Sequence, residues 1–320
     1  MLDRFSSDSS RYSALVGAFR AYGSPVIAIL GFIGNSLIIS IFWCENPSRT
    51  RFSIFATSLA VVHNVSLLLN TILDDFLGRG LDYATNGSYC FKLDAISTTN
   101  CKVFEYLPNT MYFASSYLVV VFSIDRVLTT YHPIKFHACL YRKHALWACL
   151  TVLLIGALGN IPILVVQTLQ DGLCRMDRQS PPQLADFAVV FSTVVTFFLP
   201  VVLVLALNVV IILQLWRAQR WRKAVAKRWG GVQELGRIAG HLAMSSCFLL
   251  LYLPLGVVVL MRLHITITLG EIYTPRSIQI VNLSKFFSSL KDVAYAVNCL
   301  VYAAFLPKFR TRLMHRLCIK

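Results

Sequence analysis

The sequence predicts an all-α membrane protein, a bundle of seven transmembrane helices followed by an amphipathic helix on the membrane surface. The 320-residue chain is 56% hydrophobic and only 14% charged, whereas a soluble protein carries about 25% charged residues. Apolar runs of about 20 residues, enough to cross the hydrocarbon core as a helix, recur along the chain. These runs are continuous, so the short alternating strands of a membrane β-barrel are excluded.

The apolar runs divide the chain into three regions. Residues 1–22 are polar, lack the apolar core of a cleavable signal peptide and are expected to form an extracellular N-terminus. Residues 23–306 form the seven-transmembrane domain, and residues 307–320 form the surface helix and a short cytoplasmic tail, with cations alternating around Phe309 and Leu313. The predicted spans are residues 23–43, 52–77, 101–131, 142–167, 185–215, 237–263 and 278–304.

The distribution of charge predicts the orientation of the bundle. Loops on one side carry 18 cations against three acids, and those on the other side carry 11 of each. The positive-inside rule therefore predicts an outer N-terminus and a cytoplasmic C-terminus in a multi-pass protein of the plasma membrane. A net charge of +15 is also typical of nucleic-acid-binding proteins. Most of the excess cations flank the apolar runs, as expected for cytoplasmic loops, so no nucleic-acid partner is expected.

An ion pair lies at the inner end of span three, in Asp125-Arg126-Val127. Charges there are costly unless they serve a function, so the pair is a candidate switch, the alternative being a static pair at the interface. Pro254 interrupts span six, where a proline removes a backbone hydrogen bond and bends the helix. The plain alternative for Pro254 is a kink of the kind common in membrane helices.

Candidate ligand-binding residues lie in the outer half of the bundle. Lys291 and Asp292 are adjacent within span seven. Intramembrane ionisable residues are functional candidates by default, although they can also snorkel or satisfy polar neighbours. Glu105 and Tyr112 in span three, and Tyr252 beside the proline of span six, complete the predicted ligand-binding set.

Several motifs together resemble the rhodopsin-like (class A) G-protein-coupled receptors, each at the corresponding end of the corresponding span. Cys101 precedes Arg126 by 25 residues, as in that family. The other matching positions are Gly34-Asn35, Trp147, Pro200, Phe248, Tyr252, Pro254, Phe309 and the sequence Asn298-Cys299-Leu300-Val301-Tyr302, which resembles N-P-x-x-Y without its proline.

The resemblance implies a mechanism and a partner. It implies a disulfide between Cys101 and Cys174 and coupling to a heterotrimeric G protein. In the resting state Arg126 would pair with Asp125. An outward movement of span six about Pro254 would then free Arg126 to meet the G protein. Asn298 and Tyr302 would take part in this switch, with Tyr302 steadying the open form.

The departures from the family pattern also carry predictions. His63 stands where the family usually has the aspartate that helps to hold an allosteric sodium ion, and an imidazole is a poor sodium ligand. We therefore expect weak or absent sodium modulation. Tyr252 replaces a tryptophan, Cys299 a proline and Asn208 a tyrosine.

The ligand class is predicted by elimination and by a second resemblance. Amine receptors of the family have an aspartate where this chain has Pro108, and opsins have their retinal-binding lysine where it has Asp292. The resemblance therefore favours neither an amine nor retinal as the ligand. The segment 46–60 and the residues 131–135 after the Asp125 triplet are similar to invertebrate neuropeptide receptors, including the FMRFamide-receptor-like group. We expect a short extracellular peptide that bears a cation. The alternatives are a chemosensory receptor of the same fold for a small molecule and, further off, a transporter.

Catalysis and bound cofactors are not expected. No nucleophile–base pair or metal-ligand spacing appears in the sequence, so the chain is not predicted to be an enzyme or to hold a metal. Two modifications are expected. Asn86-Gly87-Ser88 is a glycosylation sequon in the first outer loop, and Cys318 after the surface helix is a palmitoylation candidate.

Overall fold

The computed structural model of the protein describes residues 13–44, 50–132, 142–177, 179–224, 232–265 and 275–316, and within them it confirms the helical bundle. Six of the described helices are long and apolar enough to cross a membrane, and the seventh span meets the last helix at a bend of 107°. The helices are α1 (Ser13–Trp43), α2 (Arg51–Ala84), α3 (Thr98–Tyr131), α4 (Arg142–Val166), α5 (Pro182–Arg217), α6 (Val232–Leu263), α7 (275–305) and α8 (Pro307–Arg316).

The bundle has a central pair of helices and a lipid-facing rim. Burial covers 72% of the apolar stretch of α2 and 61% of that of α3, against 33% for α1, α4 and α5. The core joins these helices through aromatic side chains such as Phe52, Phe122 and Tyr302, all nearly inaccessible. Apolar residues left exposed on the rim, among them Leu250, face the position of the lipid tails.

Helices α1 and α2 extend beyond their predicted ends. Helix α1 begins at Ser13 rather than at residue 23, and α2 continues to Ala84 rather than to residue 77. The two extensions contain wider, π-helical turns over Phe19–Gly23 and Leu67–Gly80. They pack backbone to backbone, because a β-carbon at Gly80 would lie 2.6 Å from the carbonyl oxygen of Arg20. Part of the predicted N-terminal tail is therefore a helical wall of the bundle.

A β-hairpin lies between α4 and α5. Strand β1 (Gln167–Gln170) pairs antiparallel with β2 (Leu173–Met176), and Asp171-Gly172 turn the chain with positive φ at both residues, as a two-residue hairpin loop requires. Cys174 in β2 forms a disulfide with Cys101 at the start of α3, which confirms the bridge that the family resemblance implied.

Helix α7 is not continuous. It consists of Pro275–Leu290, Val293–Ala296 and Asn298–Phe305. At the first break the amide of Asp292 donates to the carbonyl of Ser289 and that of Ala294 to Lys291, so the helix tightens to three-residue hydrogen bonds. The helix is therefore interrupted at Lys291 and Asp292.

Candidate functional site

The ion pair on α3 is part of a three-residue cluster, Arg51, Asp125 and Arg126. The Asp125 carboxylate accepts a hydrogen bond from Arg126 and lies 2.8 Å from the Nε of Arg51. All three residues are buried, with 3%, 8% and 2% of their surfaces exposed. Arg51 also donates to the hydroxyl of Thr129, one turn along α3. One carboxylate therefore holds two guanidinium groups, and it ties the start of α2 to α3.

Aromatic rings cover the guanidinium of Arg126. Its Cζ lies 5.4 Å from the centroid of the Phe52 ring and 5.6 Å from that of Phe122. Cation–π contacts of this kind are strongest where water is excluded. Phe52 belongs to α2, so the rings and the carboxylate hold Arg126 between the same two helices.

Helix α6 docks on α3 beside this cluster through His241. The Nε2 of His241 lies 2.9 Å from the hydroxyl of Ser123, and its ring lies 4.6 Å from that of Phe122. One turn further along, Ser245 donates to the side-chain oxygen of Asn208 on α5. His241 is not among the sequence-predicted site residues, although a histidine within the predicted sixth span was an available signal. The α3–α6 contact near Arg126 is thus a polar one.

The residues of α7 that are predicted to take part in the switch contact neighbouring helices. Asn298 donates from its amide to Nδ1 of His63 at 2.9 Å, and Nε2 of His63 lies 2.9 Å from the hydroxyl of Ser115. Because Nδ1 accepts, the imidazole is the neutral tautomer that donates from Nε2. The groups around the family's sodium position are therefore bonded to one another. Tyr302, 1% exposed, donates to the sulfur of Met244 on α6.

Tyr252 lies next to Pro254 and inside the bundle. Helix α6 runs through Pro254, and Tyr252 is only 2% exposed. Its ring stacks on Phe248 at 4.1 Å and its hydroxyl lies 3.1 Å from that of Tyr295 on α7. Tyr252 therefore links α6 to α7 immediately before the proline.

Lys291 and Asp292, at the first break of α7, pair with each other inside the bundle. Lys291 donates from Nζ to Asp292 at 2.9 Å, and Asp292 also accepts from the hydroxyl of Thr71 on α2 at 2.8 Å. The ammonium lies 4.0 Å from the ring centroid of Tyr112 and 5.7 Å from that of Tyr295. The structure thus brings together Tyr112, Lys291 and Asp292 from the predicted ligand-binding set, and Tyr295 connects them to Tyr252.

A further buried ion pair joins α1 to α2. The Nε of Arg20 lies 3.0 Å from the carboxylate of Asp75 and 3.0 Å from the hydroxyl of Ser289 on α7. Arg20 and Asp75 are each 5% exposed. Arg20 lies within the predicted N-terminal tail, residues 1–22, and nothing in the local sequence pattern indicates that it faces Asp75.

Glu105 lines a pocket of about 120 Å³ between α2, the loop after it and α3, here called the α2–α3 pocket. Two of its acids are neutralised, since Arg79 lies 2.7 Å from Asp74 and Lys92 lies 3.3 Å from Asp94. Within the part of the chain that the structure describes, the Glu105 carboxylate has no ion-pair or hydrogen-bond partner. The described residues that line the pocket therefore include three acidic side chains and two cationic ones.

Two further groups give the α2–α3 pocket a polar character. Asn70, 5% exposed, lines it, and the side-chain nitrogen of Asn70 has no hydrogen-bond partner among the described residues. Tyr112 also lines it, so one ring contacts both the pocket and the Lys291–Asp292 pair. Buried donors of this kind are costly unless they find an acceptor.

Of the two predicted modification sites, Asn86 and Cys318, the first lies within the described residues. Asn86 is exposed, in a turn after α2 where it and Gly87 have positive φ. Cys318 lies outside the described residues, as do residues 45–49 and 133–135 of the neuropeptide-receptor motifs.

Comparison with known proteins identifies the class. Residues 34–302 match the model of the family described as 7 transmembrane receptor (rhodopsin family), and the chain belongs to that family. Membership confirms the resemblance to rhodopsin-like receptors and a multi-pass membrane protein. Because members of this family are receptors and not enzymes, it also confirms that the chain is not an enzyme.

Individual relatives are distant. The neuropeptide S receptor of Homo sapiens is 24% identical over 60% of this chain and 49% of its own length. The somatostatin receptor type 5 of Rattus norvegicus is 22% identical over 96% and 82%. The uracil nucleotide/cysteinyl leukotriene receptor of Rattus norvegicus is 28% identical over 54% and 51%. The match thus spans about half the length of the first and third of these.

Proposed function

We propose that the chain is a G-protein-coupled receptor for a short extracellular peptide bearing a cation. The observation that carries this proposal is the placement of two sites on one helix. Helix α3 lines the α2–α3 pocket with Glu105 and Tyr112, and it carries Asp125 and Arg126 at its other end. Membership of the rhodopsin family supports coupling of the Arg126 end to a heterotrimeric G protein.

The proposed signal runs through α6. Binding displaces the contacts that Tyr252 makes with Tyr295, and the half of α6 that precedes Pro254, at the Arg126 end, swings outward. The His241–Ser123 contact then opens, and Arg126 leaves Asp125 to meet the G protein. Tyr302, no longer held at Met244, moves into the space left by α6.

The chemistry of the α2–α3 pocket supports a cationic peptide. Its unmatched Glu105 carboxylate favours a cation, and the free donor of Asn70 suits a peptide carbonyl. Two of the relatives reported above are named for peptides, neuropeptide S and somatostatin. The likeness of residues 46–60 to FMRFamide-type receptors further supports an amidated neuropeptide.

A chemosensory receptor for a small molecule is the second candidate. The relative named for uracil nucleotides and cysteinyl leukotrienes, 28% identical in the matched region, favours it. An anionic ligand of that kind would meet the uncompensated Glu105, so we rank it second.

The proposed orientation places the disulfide end outside the cell. The excess of cations in the loops at the Arg126 end supports it. In this orientation Asn86 is available for glycosylation, and Cys318 is placed for palmitoylation. A glycosidase-sensitive mass shift that is lost in Asn86→Gln is expected from cells. The orientation would be contradicted if the wild-type receptor carried no glycan and an N-terminal epitope could be stained only after the cells were permeabilised.

The test of the proposed function is a screen of synthetic amidated peptides for agonist-dependent guanine-nucleotide exchange in membranes containing the receptor. A basic peptide should stimulate exchange, and Glu105→Gln should reduce its potency by about 10- to 100-fold, the effect of losing one charged contact. Asp171→Asn, in the exposed hairpin turn, is the matched control and should retain the potency. Stimulation by neutral small molecules alone would favour the second candidate, and solute flux without exchange would favour a transporter.

A further inference from the structure

A cavity of about 270 Å³ lies at the Arg126 end of the bundle, between α1, α2, α6 and the start of α8. Among the described residues that line it, three are cationic and none is acidic. The cations are Arg237 on α6 and Lys308 and Arg312 on α8. We call it the basic cavity, and the role of Arg126 described above does not involve it.

The floor of the basic cavity is apolar and aromatic. Phe42, Phe52 and Phe309 line it, with ring centroids 5.8 Å apart for the first two and 5.3 Å for Phe42 and Phe309. An anion that enters it therefore meets three cations above a surface that accepts hydrocarbon. This combination matches a charged group attached to an apolar body better than it matches a free ion.

The cavity also lies at the edge of the bundle. Helix α1 belongs to the lipid-facing rim, and Trp43 at its end is 41% exposed. Helix α8 carries four cations among its ten residues and buries Phe309, as a helix at the membrane surface does. Basic pockets between helices at the cytoplasmic surface are suited to phosphorylated lipid headgroups.

The cavity is complete only while α6 is docked. Arg237 lies with its Cζ 6.0 Å from the ring centroid of Phe52. Its neighbour Gly236 packs so closely that a β-carbon there would lie 2.6 Å from the carbonyl oxygen of Phe305, at the junction of α7 and α8. An outward movement of α6 would carry Arg237 away from Lys308 and Arg312, and the group of three cations would be lost.

We infer that the basic cavity binds the phosphorylated headgroup of a phosphoinositide from the adjacent leaflet, and that the bound headgroup holds α6 in its docked position. A ligand shifts an equilibrium toward the state that it binds more tightly. Because the docked state alone presents all three cations, the lipid favours the resting receptor. The inference depends neither on the peptide ligand nor on G-protein coupling.

The binding test uses the full-length receptor in phosphatidylcholine nanodiscs and a fluorescent phosphatidylinositol 4,5-bisphosphate as the probe. Lys308→Gln with Arg312→Gln should weaken binding by about tenfold or more. The matched control, Arg310→Gln with Arg316→Gln, removes the same charge from α8 outside the cavity lining and should change binding by less than about twofold. Equal losses in the two pairs would overturn the site, because they would show attraction to the helix charge alone.

Competition distinguishes the sources of phosphate. Unlabelled lipid should displace the probe at lower concentration than soluble inositol trisphosphate, inorganic phosphate or phosphatidylserine of equal total charge. Equal displacement by the soluble headgroup or by phosphatidylserine would overturn a phosphoinositide site.

The effect on α6 is tested by hydrogen exchange in the same discs. Phosphatidylinositol 4,5-bisphosphate should slow amide exchange in the first turns of α6, and it should not do so in the Lys308→Gln, Arg312→Gln receptor. Unchanged or faster exchange in the wild-type protein would overturn the holding role. Both variant pairs are checked for wild-type melting temperature, so that unfolding is not mistaken for lost binding.

Discussion

At the scale of single residues, Asp125 is the group on which the Arg126 end depends. A buried guanidinium is tolerated when a carboxylate and rings surround it, and removing one partner from such a group is costly. Asp125 serves two arginines at once. Losing its charge therefore leaves two buried cations without their anion, and separation of α2 from α3 at this end becomes easier.

Asp125→Asn should raise agonist-independent nucleotide exchange. A charge-assisted contact contributes about 1.5–3 kcal/mol, and about 1.4 kcal/mol changes an equilibrium constant tenfold. The fraction of receptors in which Arg126 is released should therefore rise by about tenfold. Exchange without agonist, normalised to surface expression, measures this. Basal exchange equal to wild type would contradict a restraining role for Asp125.

His63 is the residue for which the structure sharpens the sodium prediction. Its two ring nitrogens are engaged by Asn298 and Ser115, and it is 4% exposed. An ion would have to displace both contacts and would gain no carboxylate in return. Insensitivity to sodium therefore follows from hydrogen bonding as well as from the missing charge.

The melting temperature of the wild-type receptor should not change when sodium is exchanged for a bulky organic cation. His63→Asp should gain a sodium-dependent rise of a few degrees, at roughly 2–4 °C per kcal/mol. His63→Asn, which removes the ring without adding charge, is the control and should remain insensitive. Sodium stabilisation of the wild-type protein would contradict this account of His63.

At the scale of the elements, the docking of α6 decides whether the Arg126 end is closed. The contacts that hold it include His241 of α6 with Ser123 of α3, Tyr302 with Met244, and the close approach of Gly236 to Phe305. The last is purely steric. Gly236 allows the backbone of α6 to contact the backbone at Phe305, and any larger residue there would force the two apart.

Gly236→Ala should push α6 away from the α7–α8 junction and raise basal nucleotide exchange. The β-carbon of the new alanine would lie 2.6 Å from the carbonyl oxygen of Phe305. Because that oxygen belongs to the backbone, it cannot move aside as easily as the end of a flexible side chain. Gly240→Ala is the matched control one turn along, since its β-carbon would lie 3.4 Å from Phe305, an ordinary contact. Equal basal exchange in the two variants would show that the close approach does not restrain α6.

Element positions were largely predictable and their interruptions were not. The apolar runs predict the spans because crossing the hydrocarbon sets a minimum length. An apolar run ends at the first polar residues, so hydropathy did not predict the helical turns before residue 23, which carry Arg20. The break in α7 at Lys291 has no proline to signal it. Hydropathy also says nothing about partners, so the Arg51–Asp125 and Arg20–Asp75 pairs appeared only in three dimensions.

At the scale of the whole molecule, the disulfide holds the hairpin over α3 and closes a segment of 73 residues. Cross-linking residues so far apart restricts the unfolded chain, with a typical effect of 2–5 kcal/mol for a native bridge. The bridge also anchors the end of α3 that lines the α2–α3 pocket.

Cys101→Ser should lower the free energy of unfolding by about 2–5 kcal/mol, seen as a lower melting temperature and less receptor at the cell surface. Cys90→Ser changes a free, exposed cysteine and is the control. It should leave both readouts unchanged. Equal melting temperatures for the two variants would contradict a structural role for the bridge.

Helix α3 has a polar pocket at one end and a restrained arginine at the other, and in the proposed mechanism α6 is the part that moves. In this account Arg126 has no role in folding the outer half or in shaping the α2–α3 pocket. Its role begins when α6 has moved and the guanidinium is free of Asp125.

The role of Arg126 is tested by agonist-stimulated nucleotide exchange in the Arg126→Ala receptor, measured with a peptide found in the screen. Surface expression and peptide binding should match the wild-type receptor, while exchange should fall to the level of membranes without receptor. Arg310→Ala on the exposed face of α8 is the control and should signal normally. Unimpaired exchange by Arg126→Ala would contradict the account.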